Sequence, residues 1–468
     1  MATPTRPAAP AEALDQARAD WDALVARGLS LDLTRGKPSA EQLDLSAPLL
    51  SLPAGDHLTR DGEDTRNYAG DRGLPELREI FAPLLQVPAG QLLADGNSSL
   101  ALMHDCLVHA LIDGVPGGKG RWLDEERVVF LCPVPGFDRH FDLCDRFGIE
   151  MVPVPMTADG PDMDVVELLA AGDPAVKGIW CVPKYSNPDG TVYADETVER
   201  LARMATAASD FRIFWDDAYA VHHLTEEEVV VRDVLAACAG HGNPDRALVF
   251  GSTSKITHAG AGVAFFGASP ANVDWRLTYG NGRSIGPDKV NQLRHAQFLQ
   301  NTDGVRAHMA AHRELLRPKF DAVQRIFEAE LGGTGLAEWT RPRGGYFVTL
   351  TVSDGCAREV VRRCAEAGVR LTPAGAAHPG GGDPADNAAA RGDQAGPRGD
   401  WRRVAPRPPR RSQPALRHPA LAAVLPVCGR SRAGAARLQR RVGGKHGGGV
   451  HRTDHGDPGR GLLAAAEP

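Results

Sequence analysis

Three polar signals sit at the ends of apolar runs in the middle of this chain, and each carries a different reactive group. Ser186-Asn187-Pro188-Asp189-Gly190 offers an amide, and Trp215-Asp216-Asp217-Ala218-Tyr219 offers a carboxylate with a phenol three residues on. Gly251-Ser252-Thr253-Ser254-Lys255 places a lysine behind hydroxyls. The gaps are 29 residues from Asn187 to Asp216 and 39 from Asp216 to Lys255. A lysine amine at a strand end can hold an aldehyde as a Schiff base and then move protons. A carboxylate buried at the end of Arg212-Ile213-Phe214-Trp215 can keep a ring nitrogen protonated, so that the ring draws electrons. Tyr219 and Asn187 suit a hydrogen bond to an oxygen on that ring. Upstream, Asp95-Gly96-Asn97-Ser98-Ser99 leads into a helical stretch, where backbone N–H groups and two hydroxyls suit a phosphate. Ser252 and Ser254 offer further hydroxyls, and Phe137 in Pro133-Val134-Pro135-Gly136-Phe137 can cover a flat ring. Each piece also has a plainer reading: a solvated turn at Ser-x-Ser-Lys, an N-cap pair at Asp216-Asp217, a turn at Asn187-Pro188, a helix cap at Ser98-Ser99, core for Phe137. Their shared order at strand ends favours one site.

The elements that must carry these groups are legible in outline. Apolar residues at Leu14, Ala17, Trp21, Leu24 and Val25 predict an amphipathic helix over 12–27. Short apolar runs without alternation predict strands covered on both faces: Val128–Leu131, Met151–Val154, Gly178–Val182, Arg212–Trp215, Leu248–Phe250 and Val263–Phe266. Helices are predicted over Ser99–Leu111, Arg139–Phe147, Ala194–Ala208 and Glu226–Ala239. The alternation indicates an α/β fold with a mostly parallel sheet, whose ligands gather beyond the strands' carboxyl ends. A long helical region, 288–331 with a break near Thr302–Gly304, follows. Arg343-Gly344-Gly345-Tyr346-Phe347-Val348 and a helix over 357–367 then suit a smaller lobe packed with the N-terminal helix. We therefore expect an N-terminal arm (1–50), a large body (51–305), a small C-terminal domain (306–377) and a tail (378–468).

That tail differs in kind. From His378 onward there is no Ile, Phe, Tyr or Met, and Trp401 is its one aromatic residue. It holds 15 Arg and 1 Lys against 6 Asp and 1 Glu, a formal +9, which leaves −15 on the rest of a chain whose total is −6. Such Gly/Pro/Ala/Arg sequence cannot bury enough apolar surface to offset the entropy of ordering it, so a disordered basic tail is expected. The acidic body argues against nucleic acid as a partner of the folded part. Eight cysteines (106, 132, 144, 181, 238, 356, 364, 428) show no C-x-x-C and mostly lie in apolar runs. They suit buried free thiols of a cytoplasmic protein better than disulfides or zinc. No secretory h-region and no stretch of membrane-spanning length is visible, and 468 residues suffice for a large core.

Taken together, the motifs resemble the class I, fold-type-I pyridoxal-phosphate aminotransferases, and most of all their divergent bacterial aspartate aminotransferase group. The likeness rests on Leu33-Thr34-Arg35-Gly36-Lys37-Pro38, Asn67-Tyr68-Ala69-Gly70-Asp71-Arg72-Gly73-Leu74-Pro75-Glu76-Leu77-Arg78 and Gly96-Asn97-Ser98-Ser99. It continues through Pro135-Gly136-Phe137-Asp138-Arg139-His140-Phe141, the Asn187, Asp216 and Lys255 motifs, Ser284-Ile285-Gly286-Pro287-Asp288-Lys289 and Gly344-Gly345-Tyr346-Phe347, covering about residues 12–377. The resemblance implies a mostly parallel seven-stranded sheet with helices on both faces and a smaller α+β lobe. It implies pyridoxal 5′-phosphate on Lys255, which also shuttles the substrate proton. Asp216 would pair with the ring nitrogen, Tyr219 and Asn187 with the ring oxygen, and Asn97, Ser98, Ser99, Ser252 and Ser254 would surround the phosphate. Tyr68 would reach the neighbouring subunit's phosphate, implying a homodimer with shared sites. Gly36 would lie where the substrate carboxylate approaches, and the reaction would be ping-pong between amino acids and 2-oxo acids, aspartate and 2-oxoglutarate first.

Departures from the family pattern are also visible. Val263 stands where many relatives place a phosphate-binding arginine, and Phe137 where this group tends to carry tyrosine. After Leu371-Thr372-Pro373-Ala374-Gly375 the arginine that grips the substrate's α-carboxylate in relatives is not reproduced past Ala377. The coincidence of this loss with the composition break suggests a frameshift between about Pro373 and Asp393. A dicarboxylic substrate needs a second cation, for which Arg35, Lys37 and Arg283 are candidates. The alternatives are a lyase, decarboxylase or other aminotransferase on the same fold, or a vestigial enzyme body with a nucleic-acid-binding tail.

Overall fold

The computed structural model describes residues 10–68, 70–280, 282–381 and 422–426. The chain opens with α1 (Pro10–Ala26), β1 (Leu31–Leu33), α2 (Ala40–Asp44) and α3 (Pro75–Phe81). Strands and helices then alternate: β2 (Leu92–Ala94), α4 (Ser99–Asp113), β3 (Val129–Val134), α5 (Asp138–Phe147), β4 (Glu150–Thr157), β5 (Gly160–Pro161), α6 (Met163–Gly172) and β6 (Val176–Cys181). They continue as α7 (Asp195–Arg203), β7 (Arg212–Asp216), α8 (Val234–Gly240), β8 (Ala247–Ser252), β9 (Ala264–Ala268) and α9 (Pro270–Gly280).

These strands form one sheet in the order β2-β9-β8-β7-β6-β3-β4-β5. The β4-β3-β6-β7-β8 block is parallel, and β9 runs antiparallel to both β8 and β2. The expected mostly parallel sheet is present. The count of seven needs one correction, because the two-residue β5 folds back on β4 as an eighth strand. The missing alternation has its predicted cause, since alternate residues feed two separate cores. Leu131, Ile179, Ile213 and Val249 pack on one face, and Phe130, Trp180, Phe214 and Leu248 on the other. Charges inside these strands are paired rather than free, as burial demands. Lys177 Nζ reaches Glu125 at 2.8 Å and Asp210 at 2.9 Å, while Arg212 donates to the carbonyls of Pro116 and Phe211.

Two helices are shorter than the sequence suggests. The run over 194–208 stops at Arg203, where Met204 turns to ψ 146. In the run over 226–239 only Val234–Gly240 is helical, after the Asp233 side chain caps Ala236 N at 2.9 Å. The β-branched Val229–Val231 lose χ1 freedom in a helix, so the Asp233 cap sets the start. The long helical region splits into α10 (Lys289–Leu299) and α11 (Thr302–Leu331), two residues before the expected break. Gln300 takes φ 65 there, and the Asn301 side chain accepts from Gly304 N at 2.9 Å.

The remaining elements are β10 (Ala337–Trp339), β11 (Phe347–Val352), α12 (Ala357–Glu366), β12 (Val369–Leu371) and β13 (Ala422–Pro426). β12 pairs in parallel with β1, and Trp21 Nε1 of α1 donates to the Arg363 carbonyl of α12 at 3.4 Å, so the N-terminal segment packs on this end. Within the tail, Ala422–Pro426 forms a strand antiparallel to β11, with Phe347 opposite Pro426. It pairs the open backbone of an edge strand. Beyond Gly381, the remainder of the stretch read as disordered or frame-shifted, with Cys428, lies outside the described residues. Cys106, Cys132, Cys144, Cys181 and Cys238 are buried free thiols, Cys364 is half-buried and Cys356 exposed. Among the described residues no helix is long and apolar enough to cross a membrane.

Candidate active site

A cleft of about 370 Å³ opens beyond the carboxyl ends of the parallel strands. Asp216 ends β7, Lys255 follows β8 by three residues, and the Asn187 turn follows β6. Lys255 Nζ lies 4.9 Å from the centre of the Tyr219 ring. Burial pulls its ammonium below the usual lysine range, with the charge of Asp216 acting in the opposite direction. The loop that aims it is pinned by Thr253, whose hydroxyl accepts from Val263 N at 2.9 Å and meets His295 Nε2 at 3.3 Å. Gly262 is needed beside it, since a Cβ there would stand 3.0 Å from Thr253 Oγ1 and 3.2 Å from Ser254 N.

Asp216 has one oxygen satisfied and one not. Its Oδ2 lies 3.0 Å from His140 Nε2, and the His140 ring is stacked on Trp180 at 4.3 Å and 9°. Its Oδ1 is buried with no hydrogen-bond partner among the described residues. A buried polar atom without a partner is costly, so this oxygen points to a donor that the polypeptide does not supply. Sequence reading gave His140 no role. Its signal is a polar residue four before Cys144 on the buried face of α5, where a plain helix would carry an apolar side chain. The adjacent Asp217 is different: burial pushes its carboxyl up to about 6, Lys184 opposing.

At the other end of the cleft Ser98 caps α4, accepting from Ala101 N at 3.2 Å, and Ser99 begins the helix. Ser254 Oγ is 3.2 Å from Ser252 Oγ and donates to the Asn97 carbonyl at 3.3 Å. Ser98, Ser99, Ser252 and Ser254 all line the cleft, whereas Asn97 meets this group through its backbone and its side chain is exposed. A helix N-terminus ringed by four hydroxyls is an anion site by charge and by donor count. Val263 is buried in the core, so its position offers no cation. Phe137 lines the cleft between the two ends, edge-on to His140 at 5.0 Å.

The substrate-facing candidates divide. Gly36 and Arg35 line the cleft, and a Cβ on Gly36 would fall 2.5 Å from the Phe347 ring, so only glycine passes there. Lys37 is exposed and off the cleft. Arg283 is committed elsewhere: with Arg276 it grips Asp95 and Asp105 in a closed group of four charges. Tyr68, 77% exposed, does not reach its own chain's cleft. Arg139, which sequence reading passed over, does line it, held to Asp142 at 2.5 Å.

Comparison with known proteins settles the family. The sequence matches the aspartate amino-transferase family model over residues 5–395. A Mycolicibacterium smegmatis protein carrying a provisional aminotransferase name is 56% identical over 366 residues, covering 78% of this chain and 86% of that protein. An aspartate aminotransferase of Corynebacterium glutamicum is 49% identical over 365 residues, 78% of this chain and 84% of that one. The chain belongs to the aspartate aminotransferase family. The crystal structure of an aspartate transaminase from Corynebacterium glutamicum agrees, with a TM-score of 0.77 at 48% identity over 79% of this chain and 87% of that chain. The protein is therefore an aminotransferase of the pyridoxal-phosphate-dependent kind, and the matched span stops short of residues 396–468. The donor set fits that cofactor: a half-buried lysine, an unpartnered buried carboxylate oxygen and a hydroxyl-lined helix terminus share one cleft.

Proposed function

We propose that this aminotransferase moves the amine of L-aspartate to 2-oxoglutarate by a ping-pong route. When bound, pyridoxal 5′-phosphate would supply an electron sink and an amine carrier. Lys255 would hold the cofactor and move the proton at the substrate Cα. Its amine is well suited, because burial keeps it readier to release a proton than an exposed lysine. The unpartnered Oδ1 of Asp216 would keep the ring nitrogen protonated, with His140 orienting the carboxylate from behind. Tyr219 and Asn187 would address the ring oxygen, Phe137 would cover the ring, and Ser98, Ser99, Ser252, Ser254 and the Asn97 loop would hold the phosphate.

Among the described residues the cations on the cleft are Lys255, Arg35 and Arg139. With the lysine committed to the cofactor, Arg35 and Arg139 are left for the two carboxylates of a dicarboxylic substrate, next to Gly36. Two guanidinium groups favour such substrates over alanine or aromatic amino acids. Tyr68, with Ile285 also strongly exposed, suits a homodimer in which each subunit completes the other's phosphate site. The arm (1–50), body (51–305) and lobe (306–377) would then be the working parts, and the tail the product of a frameshift between about Pro373 and Asp393.

The observation that carries this reading is the desolvated Lys255 amine sharing a cleft with the unpartnered Asp216 oxygen. Purified protein incubated with pyridoxal 5′-phosphate should gain a visible absorbance band, and borohydride should fix a phosphopyridoxyl mass on Lys255. Aspartate plus 2-oxoglutarate should then yield glutamate. A colourless protein with unlabelled Lys255 would end the proposal; a labelled protein that ignores aspartate would end only its substrate.

A further inference from the structure

Lys255 hangs from a turn whose backbone is gripped from outside. The carbonyl oxygens of Lys255 and Ile256 together receive three side-chain donors from three distant segments. Tyr346 Oη lies 3.3 Å and His222 Nε2 3.2 Å from the Lys255 oxygen. His308 Nε2 lies 2.8 Å from the Ile256 oxygen, with His312 Nε2 3.2 Å from His308 Nε2. Behind them stands Gln42 of α2. Its Oε1 accepts from Ser39 N at 3.0 Å, which decides the orientation of the amide. The NH₂ group therefore donates to Tyr346 Oη at 2.9 Å and to His312 Nδ1 at 3.1 Å. Having accepted from Gln42, the Tyr346 hydroxyl turns its proton to the Lys255 carbonyl. Gln42, His312 and Tyr346 are all fully buried, where a polar group must be satisfied or be costly. Along the branch from Ser39 through Gln42 and Tyr346 to the Lys255 carbonyl the wiring has a single consistent direction.

We propose that Tyr346 and Gln42 are positioning residues that fix the Lys255 turn and tie it to the cleft-lining segment Thr34–Gly36. Gln42 belongs to the helix that follows this segment, and His222 lies three residues past Tyr219, so the turn is registered against both walls of the cleft. The inference rests on the reading of Lys255 as proton carrier. The consequence is kinetic, since a small misplacement of a proton-transfer group can cost up to ~10²-fold in rate. The titratable groups facing the turn are His222, His308, His312, Tyr219, Tyr346 and Asp216. Burial holds the three histidines neutral at pH 7, so they donate as neutral rings.

Tyr346→Phe removes the hydroxyl and keeps the ring. We expect kcat for aspartate to fall roughly 10–30-fold with KM changed less than about 3-fold, and a larger deuterium effect with Cα-labelled substrate. The pH midpoint of the bound cofactor's absorbance should move by about half a unit or more. Gln42→Glu keeps the shape but makes residue 42 an acceptor, drawing the Tyr346 proton away from Lys255. It should shift the same midpoint in the same direction, and the double variant should match Tyr346→Phe alone, because both act through one hydrogen bond. A lower melting temperature with unchanged midpoint, isotope effect and kcat would make the network merely structural and overturn the proposal, as would multiplicative effects in the double variant. Should Tyr346→Phe not fold, Gln42→Glu reads the midpoint by itself. The midpoint needs only the cofactor, so it tests the inference even if aspartate is not the substrate.

Discussion

The two walls of the cleft are built on opposite principles. On the sheet side, Asp216 and Tyr219 are buried and Lys255 is half-buried, and all are held by hydrogen bonds, stacking and a pinned turn. On the facing side, Arg35 and Arg139 are 53% and 43% exposed and rest in ion pairs with Asp138 and Asp142. Desolvation pulls the Lys255 ammonium below the usual lysine range, and groups held this way have one permitted geometry. Exposed ion pairs are worth about 0–1 kcal/mol, so an incoming carboxylate can replace one at little cost. On the proposed function, the chemistry falls to the rigid wall and selection to the exchangeable one.

The sharpest way to break that division is on the rigid side. Lys255→Ala should lower the transamination rate by at least ~10³-fold, since it removes both anchor and proton carrier. Its melting temperature should hold or rise, because a desolvated amine is a burden to the fold. Glutamate formation and calorimetry give the two readings. Asp216→Ala comes next, with an expected loss of about 10²-fold and weaker retention of cofactor through dialysis. It also deprives buried His140 of its partner, so stability should fall as well, unlike Lys255→Ala.

That rigid wall was also the legible one. A reactive residue at the end of an unbroken apolar run marks a strand end in a sheet covered on both sides, which is why Asp216 and Lys255 stand where their spacing implies. His140 was hidden because one polar residue on a helix's buried stripe looks like a flaw in the pattern. The link between Gln42 and Tyr346 spans 304 residues, and no local signal encodes it. The antiparallel direction of β9 was equally invisible, since Val263–Phe266 is as apolar as its parallel neighbours. Strand β13 lies inside a tail whose average composition masks a short apolar run. Arg139 escaped because its neighbours Asp138 and Asp142 make it look like ordinary helix-surface charge.

Acid should expose the burial of the rigid wall. Burial pushes His295 and His312 down to about 4, so below the ordinary histidine value the unfolded chain takes up protons that the folded one refuses. Their contribution is complete above about pH 6.5 and is lost as pH falls towards 4, roughly 2 kcal/mol each by pH 5. Asp189 and Asp217, both pushed up to about 6 by burial, act in the opposite sense over the same range. The slope rather than the level is therefore diagnostic. Urea midpoints between pH 7 and 5 should fall less steeply for His295→Gln than for the parent, and more steeply for Asp217→Asn. Equal slopes would mean that neither group is as desolvated as its surroundings imply.

The exchangeable wall predicts smaller, more selective effects. Arg139→Ala should lower kcat/KM for aspartate by about 10–100-fold, the worth of a hydrogen bond to a charged partner, and leave a monocarboxylic amino acid almost untouched. Asp138→Asn is the finest test. The 2.8 Å pair between Arg35 and Asp138 must open or be shared if Arg35 is to meet a substrate carboxylate. An exposed pair is worth roughly 0.2–1 kcal/mol, so releasing the arginine should lower KM for aspartate by about 1.4–5-fold with kcat unchanged. Added salt screens such a pair, so the gain should shrink as ionic strength rises. A raised KM would instead make Asp138 an aid to binding, one that holds Arg35 in place for the substrate, and the facing wall would then be as preorganised as the sheet.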